Sequence, residues 1–296
     1  MTGEAGAARR VTGPQTALAL LRRATTFLAA RGSATPRLDS ELLLAAVLAT
    51  DRVGVYLRFD RPLAAADMET YRGLLVRRAA GEPVAYLTGR REFWSCDLAV
   101  TPDVLIPRPE TELLVERALA VLPDVERPAR ILDLGTGSGA LAIALAVERP
   151  AASVVALELS RAAARMARAN AVAVGVGARV AVLVSDWTEA VAPAARFDVI
   201  VANPPYVETG ALATLPREVR SEPRLALDGG ADGLDAYRRL VPGAAPLLRA
   251  GGRMLLEVGA GQAAAVAALC GACGLVDVAW HTDLGGVKRV VGASVG

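Results

Sequence analysis

The chain has 296 residues, 53% of them hydrophobic and 22% charged, and this composition excludes an intrinsically disordered protein. The formal net charge of +2, without a dense run of Lys and Arg, disfavours stable DNA binding. Three cysteines and one histidine exclude a disulfide framework and a zinc site of the H-E-x-x-H type, so we expect no bound metal.

The first 81 residues carry helical patterns. Apolar residues recur with the helical period over three segments, 16–30, 38–48 and 64–80. Gly32 and Gly81 stand where the first and third of these segments would end. Short helices joined by Pro and Gly predict a small helical bundle over residues 1–81. No function is assigned to residues 1–14, which are rich in Gly and Ala.

Residues 82–109 lack the helical pattern of the preceding segments. Three short pieces are predicted to be extended and joined by a turn, namely 86–89, 93–94 and 98–101. The segment 106–109 contains two prolines and cannot lie inside a helix, because proline lacks an N–H donor and restricts the residue before it. We therefore predict a linker β-hairpin over residues 82–109.

Strand and helix patterns alternate over residues 110–296. Seven apolar segments are predicted strands, namely 130–134, 153–157, 180–184, 197–202, 253–258, 276–280 and 287–291. Helical segments such as 140–147 and 161–173 lie between them. This alternation predicts an α/β domain with a mostly parallel sheet that is covered on both faces. The longest apolar stretch, 263–276, is too short to span a membrane.

A glycine-rich segment stands where the first strand of this domain is followed by a helix. It reads Asp133-Leu134-Gly135-Thr136-Gly137-Ser138-Gly139-Ala140. Glycines at such a position let the backbone turn tightly and approach a ligand closely. Glu158 ends the next strand, where a carboxylate can accept hydrogen bonds from both ribose hydroxyls of a nucleoside. The segment therefore predicts a nucleoside-containing cofactor.

Two kinds of cofactor fit this pattern. The spacing also satisfies the dinucleotide fingerprint, in which a pyrophosphate lies on the helix N-terminus. S-adenosylmethionine has no phosphate, but its amino group and its sulfonium can use the carboxylate of Asp133. Asp186 and Trp187 follow the third strand and favour S-adenosylmethionine, because a carboxylate and an indole can hold an adenine by hydrogen bonding and stacking.

The fourth strand ends in Asn203-Pro204-Pro205-Tyr206, at the edge of the sheet where open α/β folds bind ligands. The Asn203 side-chain oxygen and the Pro204 carbonyl could each accept one N–H of a planar amide, and Tyr206 could stack on that group. Such a clamp would aim the nitrogen lone pair at a methyl group. The predicted catalysis is therefore positioning for an in-line displacement, without a histidine base.

At these residues the chain resembles the PrmC/HemK family of bacterial release factor glutamine methyltransferases. The resemblance extends to the linker, where residues 82–89, 93–94 and 105–112 match the family, and to residues 227–234 after the Asn-Pro-Pro-Tyr motif. General Asn-Pro-Pro-Tyr methyltransferases lack this combination.

The resemblance implies a Rossmann-like class I S-adenosylmethionine-dependent methyltransferase domain with a seven-stranded sheet over 110–296. It also implies that the helical domain, 1–81, recognises the substrate, which would be the Gly-Gly-Gln glutamine of class 1 peptide chain release factors. The product of the cofactor would be S-adenosylhomocysteine. Gly135 to Gly139, Glu158, Trp187 and Asn203 would line the cofactor site. We further expect a cytoplasmic monomer that does not associate with membranes.

Four alternatives stay open at the level of sequence. The first is a glutamine methyltransferase that acts on a ribosomal protein, and the second is an enzyme that methylates adenine N6 or guanine N2 through the same clamp. The third is a cofactor-binding module without catalysis, and the fourth is a dehydrogenase. Cys270 and Cys273 form a C-x-x-C pair in an apolar segment, and we interpret them as structural residues.

Overall fold

A computed structural model describes residues 16–296, so residues 1–14, to which no function was assigned, lie outside the described part. The chain divides into two compact units between Thr88 and Gly89. We predicted that the helical domain ends at residue 81 and is followed by a separate linker. In the structure the first unit continues to Thr88, and the hairpin belongs to the second unit.

The first unit contains five helices among its described residues. They are α1 (Ala17–Ala29), α2 (Pro36–Val47), α3 (Arg52–Tyr56), α4 (Ala65–Ala79) and α5 (Val84–Thr88). Thr16 caps helix α1, because its hydroxyl accepts the Ala19 N–H and so satisfies one of the free donors of the first turn. The unit has its own core, in which Leu28, Leu43 and Tyr71 are fully enclosed.

The prediction of an extended piece at residues 86–88 is wrong, because these residues belong to helix α5. The backbone N–H groups of Tyr86 and Leu87 both donate to the Pro83 carbonyl. Proline is well suited to the first turn of a helix, since its missing N–H would have no partner there and its φ is already helical. Pro83 therefore starts a short helix instead of preventing one.

The second unit begins with a hairpin of β1 (Arg90–Phe93) and β2 (Cys96–Ala99). Its turn is formed by Trp94 and Ser95, which both have positive φ. The Trp94 indole donates to Glu148 at 2.7 Å, and its backbone N–H donates to Glu112 at 3.1 Å. These bonds hold a turn that non-glycine residues rarely form.

The remaining strands form one sheet of seven. They are β3 (Ala129–Leu134), β4 (Ala152–Glu158), β5 (Val180–Val184), β6 (Phe197–Ala202), β7 (Leu248–Glu257), β8 (Val276–Thr282) and β9 (Lys288–Ser294). Their order is β5-β4-β3-β6-β7-β9-β8, and β9 runs antiparallel to both of its neighbours while the first five strands are parallel. The predicted mostly parallel sheet of seven strands is confirmed.

Helices cover both faces of this sheet. They are α6 (Glu112–Val121), α7 (Ala140–Glu148), α8 (Arg161–Ala173), α9 (Arg224–Leu227), α10 (Asp235–Ala244) and α11 (Ala263–Ala272). One core cluster contains buried residues of α6, α7 and α8, and the other contains those of α10 and α11. Helix α7 is buried along most of its length, which explains its nearly uninterrupted Ala, Leu and Ile composition.

The connections place the carboxyl ends of β3, β4 and β6 side by side. The chain leaves β3 toward β4 on one side, whereas β6 pairs with β3 on the other side. This reversal of strand order opens a crevice between the loops that follow β3 and β6. The crevice is where the glycine-rich segment and the Asn-Pro-Pro-Tyr motif meet. Among the described helices, none combines the length and the hydrophobicity that a bilayer crossing requires.

Candidate active site

A cavity of about 530 Å³ lies at the carboxyl end of the parallel strands. Its size is within the range of small-molecule sites. It is lined by residues 135–138, Glu158, Asp186, Trp187, Asn203 and Pro205 from the two predicted motifs and their neighbours. Asp133, Gly139, Pro204 and Tyr206 lie outside its lining. The structure thus brings most of the predicted site residues to one cavity.

The glycine-rich loop depends on backbone conformations that favour glycine. Gly135, Gly137 and Gly139 all have positive φ, at 75°, 56° and 88°. A Cβ atom on Gly139 would lie 3.0 Å from the Cδ1 atom of Ile143 and 3.2 Å from the Cβ atom of Ala167. Gly139 therefore also allows α7 to pack closely against α8.

Glu158 supports this loop with its carboxylate. Its Oε2 accepts the Gly137 N–H at 2.8 Å, and its Oε1 accepts the Ser160 N–H at 2.9 Å. A carboxylate has about four acceptor positions, so about two remain for the hydroxyls of a ribose. Glu158 can hold the loop and a nucleoside at the same time.

Asp133 lies fully buried beneath the loop. Thr136 donates its hydroxyl to the Oδ2 atom of Asp133 at 2.6 Å, whereas Oδ1 has no hydrogen-bond partner among the described residues. Burial raises the pKa of this carboxyl to about 7. A buried acceptor without a partner fits a cationic donor such as the amino group of S-adenosylmethionine.

Trp187 lies against the glycine-rich loop. A Cβ atom on Gly135 would be 3.7 Å from the Trp187 indole, and Trp187 itself has a φ of 48°. The Ser185 hydroxyl donates to the Trp187 carbonyl at 2.8 Å and helps to hold this conformation. Asp186 accepts a hydrogen bond from Arg239 of α10 at 2.7 Å. Arg239 lines the cavity as well, and the sequence analysis did not select it.

The side chain of Asn203 has a defined partner on one side. Its Nδ2 donates to the Thr111 hydroxyl at 3.1 Å. The Oδ1 atom is the remaining acceptor of an amide that lines the cavity. Pro204 and Pro205 have no N–H groups that could compete for that acceptor. The loop therefore offers the Asn203 Oδ1 atom as an acceptor, and its two prolines add no backbone N–H donors beside it.

Tyr206 lies outside the lining of the cavity. It is partly buried against the core cluster that contains α10 and α11, and burial raises the pKa of its hydroxyl to about 12. Gln262 donates to the Tyr206 carbonyl at 2.9 Å. The next residue, Val207, exchanges hydrogen bonds with Leu227 and Gly229, so residues 227–229 close against the end of the motif. Tyr206 anchors the motif to the domain.

The segment before α6 forms another wall of the cavity, which the sequence analysis did not assign to the site. Arg108 lines the cavity and forms an ion pair with Glu222. Glu222 also accepts the Ile106 N–H at 3.1 Å, and burial raises the pKa of its carboxyl. The 105–112 segment was predicted only as a match to the family's linker. No local pattern shows that it meets Glu222 across more than 100 residues of sequence.

The described residues include no cluster of metal-binding side chains. Residues 16–296 hold no group of three or more His, Cys, Asp or Glu side chains that could ligate a metal ion. Cys270 is buried in the core cluster of α10 and α11, and burial raises the pKa of its thiol to about 11. An unreactive thiol of this kind is consistent with a structural residue.

Comparisons with known proteins match both parts of the chain. Residues 19–89 match the model of the PrmC N-terminal domain, and residues 110–219 match the model of the methyltransferase small domain. The chain is 45% identical over 271 residues to a release factor glutamine methyltransferase of Geobacter sulfurreducens, covering 91% of this chain and 93% of that protein. It is 49% identical over 254 residues to a release factor glutamine methyltransferase of Moorella thermoacetica, covering 86% and 89%.

One solved structure has a similar fold over part of this chain. It is a T. Thermophilus 16S rRNA N2 G1207 methyltransferase in complex with AdoMet and guanosine, with 25% sequence identity and a TM-score of 0.50. The match covers 70% of this chain and 50% of that chain.

Proposed function

Because this chain belongs to the release factor glutamine methyltransferase family, we propose that it methylates the side-chain nitrogen N5 of the glutamine in the Gly-Gly-Gln motif of class 1 release factors, with S-adenosylmethionine as the methyl donor. The arrangement around Asn203 is the observation that carries this proposal. Its amide lines the cavity and is held from behind by Thr111.

Four residues would hold the cofactor. Glu158 would accept hydrogen bonds from the ribose, Trp187 would stack on the adenine, and Asp133 with its unpartnered oxygen would attract the amino group. Asp186 would contact the adenine from the end of β5 while it keeps its bond to Arg239. The bound cofactor supplies a methyl group on a positively charged sulfur, which departs as the neutral thioether of S-adenosylhomocysteine.

The protein's contribution to the transfer is to orient the substrate amide. An amide nitrogen is a poor nucleophile because its lone pair is delocalised into the carbonyl. Asn203 Oδ1 and the Pro204 carbonyl would each accept one N–H and aim the nitrogen at the methyl group. As the new N–C bond forms, the nitrogen becomes acidic and releases one proton to water. Orientation of this kind can supply several kcal/mol of barrier lowering, about 7–11 kcal/mol at most.

Mass spectrometry of a purified class 1 release factor from an unmodified source tests this function. After incubation with the enzyme and S-adenosylmethionine, we expect one added methyl group on the Gly-Gly-Gln glutamine. Asn203→Ala should reduce turnover by about 100-fold or more while cofactor binding is retained. An unmodified glutamine, with cofactor binding demonstrated by calorimetry, would refute the proposal and favour a ribosomal-protein glutamine or a nucleic-acid amine as the substrate.

The helical unit is proposed to recognise the release factor, since its match to the PrmC N-terminal domain covers residues 19–89. We also propose that the enzyme acts as a cytoplasmic monomer without stable DNA binding. The net charge of +2 supports the absence of stable DNA binding, and the place of release factors in translation supports a cytoplasmic location.

A further inference from the structure

A buried carboxyl group lies next to the amide clamp. In the pairing of β6 with β7, Ala202 is opposite Leu256, so the next residues along the two parallel strands are Asn203 and Glu257. Glu257 is 2% exposed, and its Oε2 has no hydrogen-bond partner among the described residues. Unlike Asn203, Glu257 does not line the cavity.

Thr111 lies between the two side chains. It is the last residue of a 3-10 helix (Pro109–Thr111) that leads into α6, and its hydroxyl caps no backbone N–H of α6. The hydroxyl instead accepts the Nδ2 of Asn203 at 3.1 Å, and Thr111 is 4% exposed. Its side chain is therefore committed to the site and not to the helix.

The carboxyl of Glu257 is surrounded by hydroxyl groups. Burial raises its pKa to about 7, while the hydroxyl of Thr111, the guanidinium of Arg289 and the hydroxyl of Tyr206 oppose the rise by favouring the ionised form. Glu110 acts in the opposite direction. The Thr111 hydroxyl thus has an acid group on one side and the Asn203 amide on the other.

The number of protons in this chain of contacts determines the orientation of the amide. A threonine hydroxyl has one proton to donate, and an ionised carboxylate can only accept. While Glu257 is ionised, the Thr111 proton points to it and the Thr111 oxygen can only accept from Asn203, so Asn203 must present its NH2 group there. The Oδ1 atom of Asn203 then faces the substrate. A flipped amide would place its own NH2 against the NH2 of the glutamine, donor against donor.

We propose that Thr111, oriented by the buried carboxyl of Glu257, is a positioning residue that fixes the Asn203 amide with its oxygen toward the substrate nitrogen. The proposal rests on the proposed glutamine transfer and adds to it two residues that do not contact the reacting atoms. Both are distant from the Asn-Pro-Pro-Tyr motif in sequence.

Steady-state kinetics of Thr111→Val and Thr111→Ser provide the test. Valine keeps the shape of the side chain and removes the hydroxyl. We expect Thr111→Val to lower kcat by about 100-fold, with KM for the release factor and the Kd of S-adenosylhomocysteine nearly unchanged. Thr111→Ser restores the hydroxyl and should recover most of the rate. Glu257→Met removes the acceptor and offers no polar replacement, so it should also lower kcat, because the Thr111 proton is then free to turn toward Asn203.

A double-mutant cycle separates positioning from a purely structural role. In the Asn203→Ala background there is no amide to orient, so Thr111→Val should produce no further loss of rate. An equal loss in both backgrounds, or a wild-type kcat in Thr111→Val, would overturn the proposal. If Thr111→Val fails to fold, Glu257→Met replaces it in the same cycle. A wild-type enzyme that leaves the glutamine unmodified refutes the proposed function itself, whereas a fully active Thr111→Val refutes only the positioning role.

Discussion

Replacing Glu158 by Gln tests whether one carboxylate serves both the glycine-rich loop and the cofactor. In the wild type, the two oxygens accept the N–H groups of Gly137 and Ser160 at 2.8 and 2.9 Å. Glutamine has one carbonyl oxygen, so in either orientation its NH2 group faces one of these donors. A buried donor without an acceptor costs about 1–3 kcal/mol. The loop should therefore lose stability even before a ligand is added.

The effect on cofactor binding adds to the effect on the loop. Hydrogen bonds from ribose hydroxyls to a charged acceptor contribute about 1.5–3 kcal/mol, which corresponds to a Kd for S-adenosylmethionine that rises about 10- to 100-fold. Calorimetry measures this Kd, and urea denaturation without ligand measures the cost to the fold. Glu189→Gln is a matched control, because Glu189 is exposed nearby.

Two results would contradict this account of Glu158. An unchanged Kd would show that the carboxylate does not contact the ribose. A variant that is largely unfolded at the assay temperature would show that the loss of binding comes from the fold alone. A folded variant with weakened binding and a nearly unchanged kcat at saturating cofactor would support it.

Three further predictions concern stability. Gly139→Ala should lower the free energy of unfolding by about 2–4 kcal/mol in urea titrations, because Gly139 has a left-handed backbone and an added Cβ atom would press against α8. Gly137→Ala has only the backbone cost of about 1–2 kcal/mol, so equal losses in the two variants would refute this explanation. Burial raises the pKa of Asp133 from 3.8 to about 7, so between these two pH values the folded protein binds a proton that the unfolded chain has released. Without cofactor, Asp133 should therefore make the free energy of unfolding fall as the pH rises from 3.8 to about 7, and Asp133→Asn should remove this pH dependence. Glu222→Ala leaves the Ile106 N–H and Arg108 without their shared acceptor and should cost about 1–3 kcal/mol by the same titration, and an unchanged midpoint would contradict the role of this pair.

The elements that local pattern predicts well are those with an unbroken apolar run or a regular apolar period. Strands β5 and β6 and helix α8 have the predicted bounds, because such runs and periods are visible over a short window. The short helix α5 was predicted as extended, since five residues are too few to show a helical period. Pro83, which directly precedes the helix, is the residue that could have indicated a helix start.

Within the site, the motifs themselves were predictable and their supports were not. The glycine-rich segment and the Asn-Pro-Pro-Tyr motif each consist of a few residues that are adjacent in sequence. The contact of Asn203 with Thr111 joins residues 92 positions apart, and that of Asp186 with Arg239 joins residues 53 positions apart. Such pairs depend on how strands are ordered in the sheet, which no single segment reveals. The inward packing of Tyr206 similarly depends on α10 and α11.

The hydrogen bonds of Val207 with Leu227 and Gly229 have an evolutionary consequence. The stretch of chain between Val207 and Asp228 leaves and returns at a single place, where a parallel bridge joins these two residues. Loop closure depends only slowly on loop length, so insertions and deletions in the exposed part of this stretch, before Glu222, cost little once its ends are fastened. A lineage can therefore exchange that part of the loop and the surface it presents, whereas Glu222 stays because it pairs with Arg108 at the cavity.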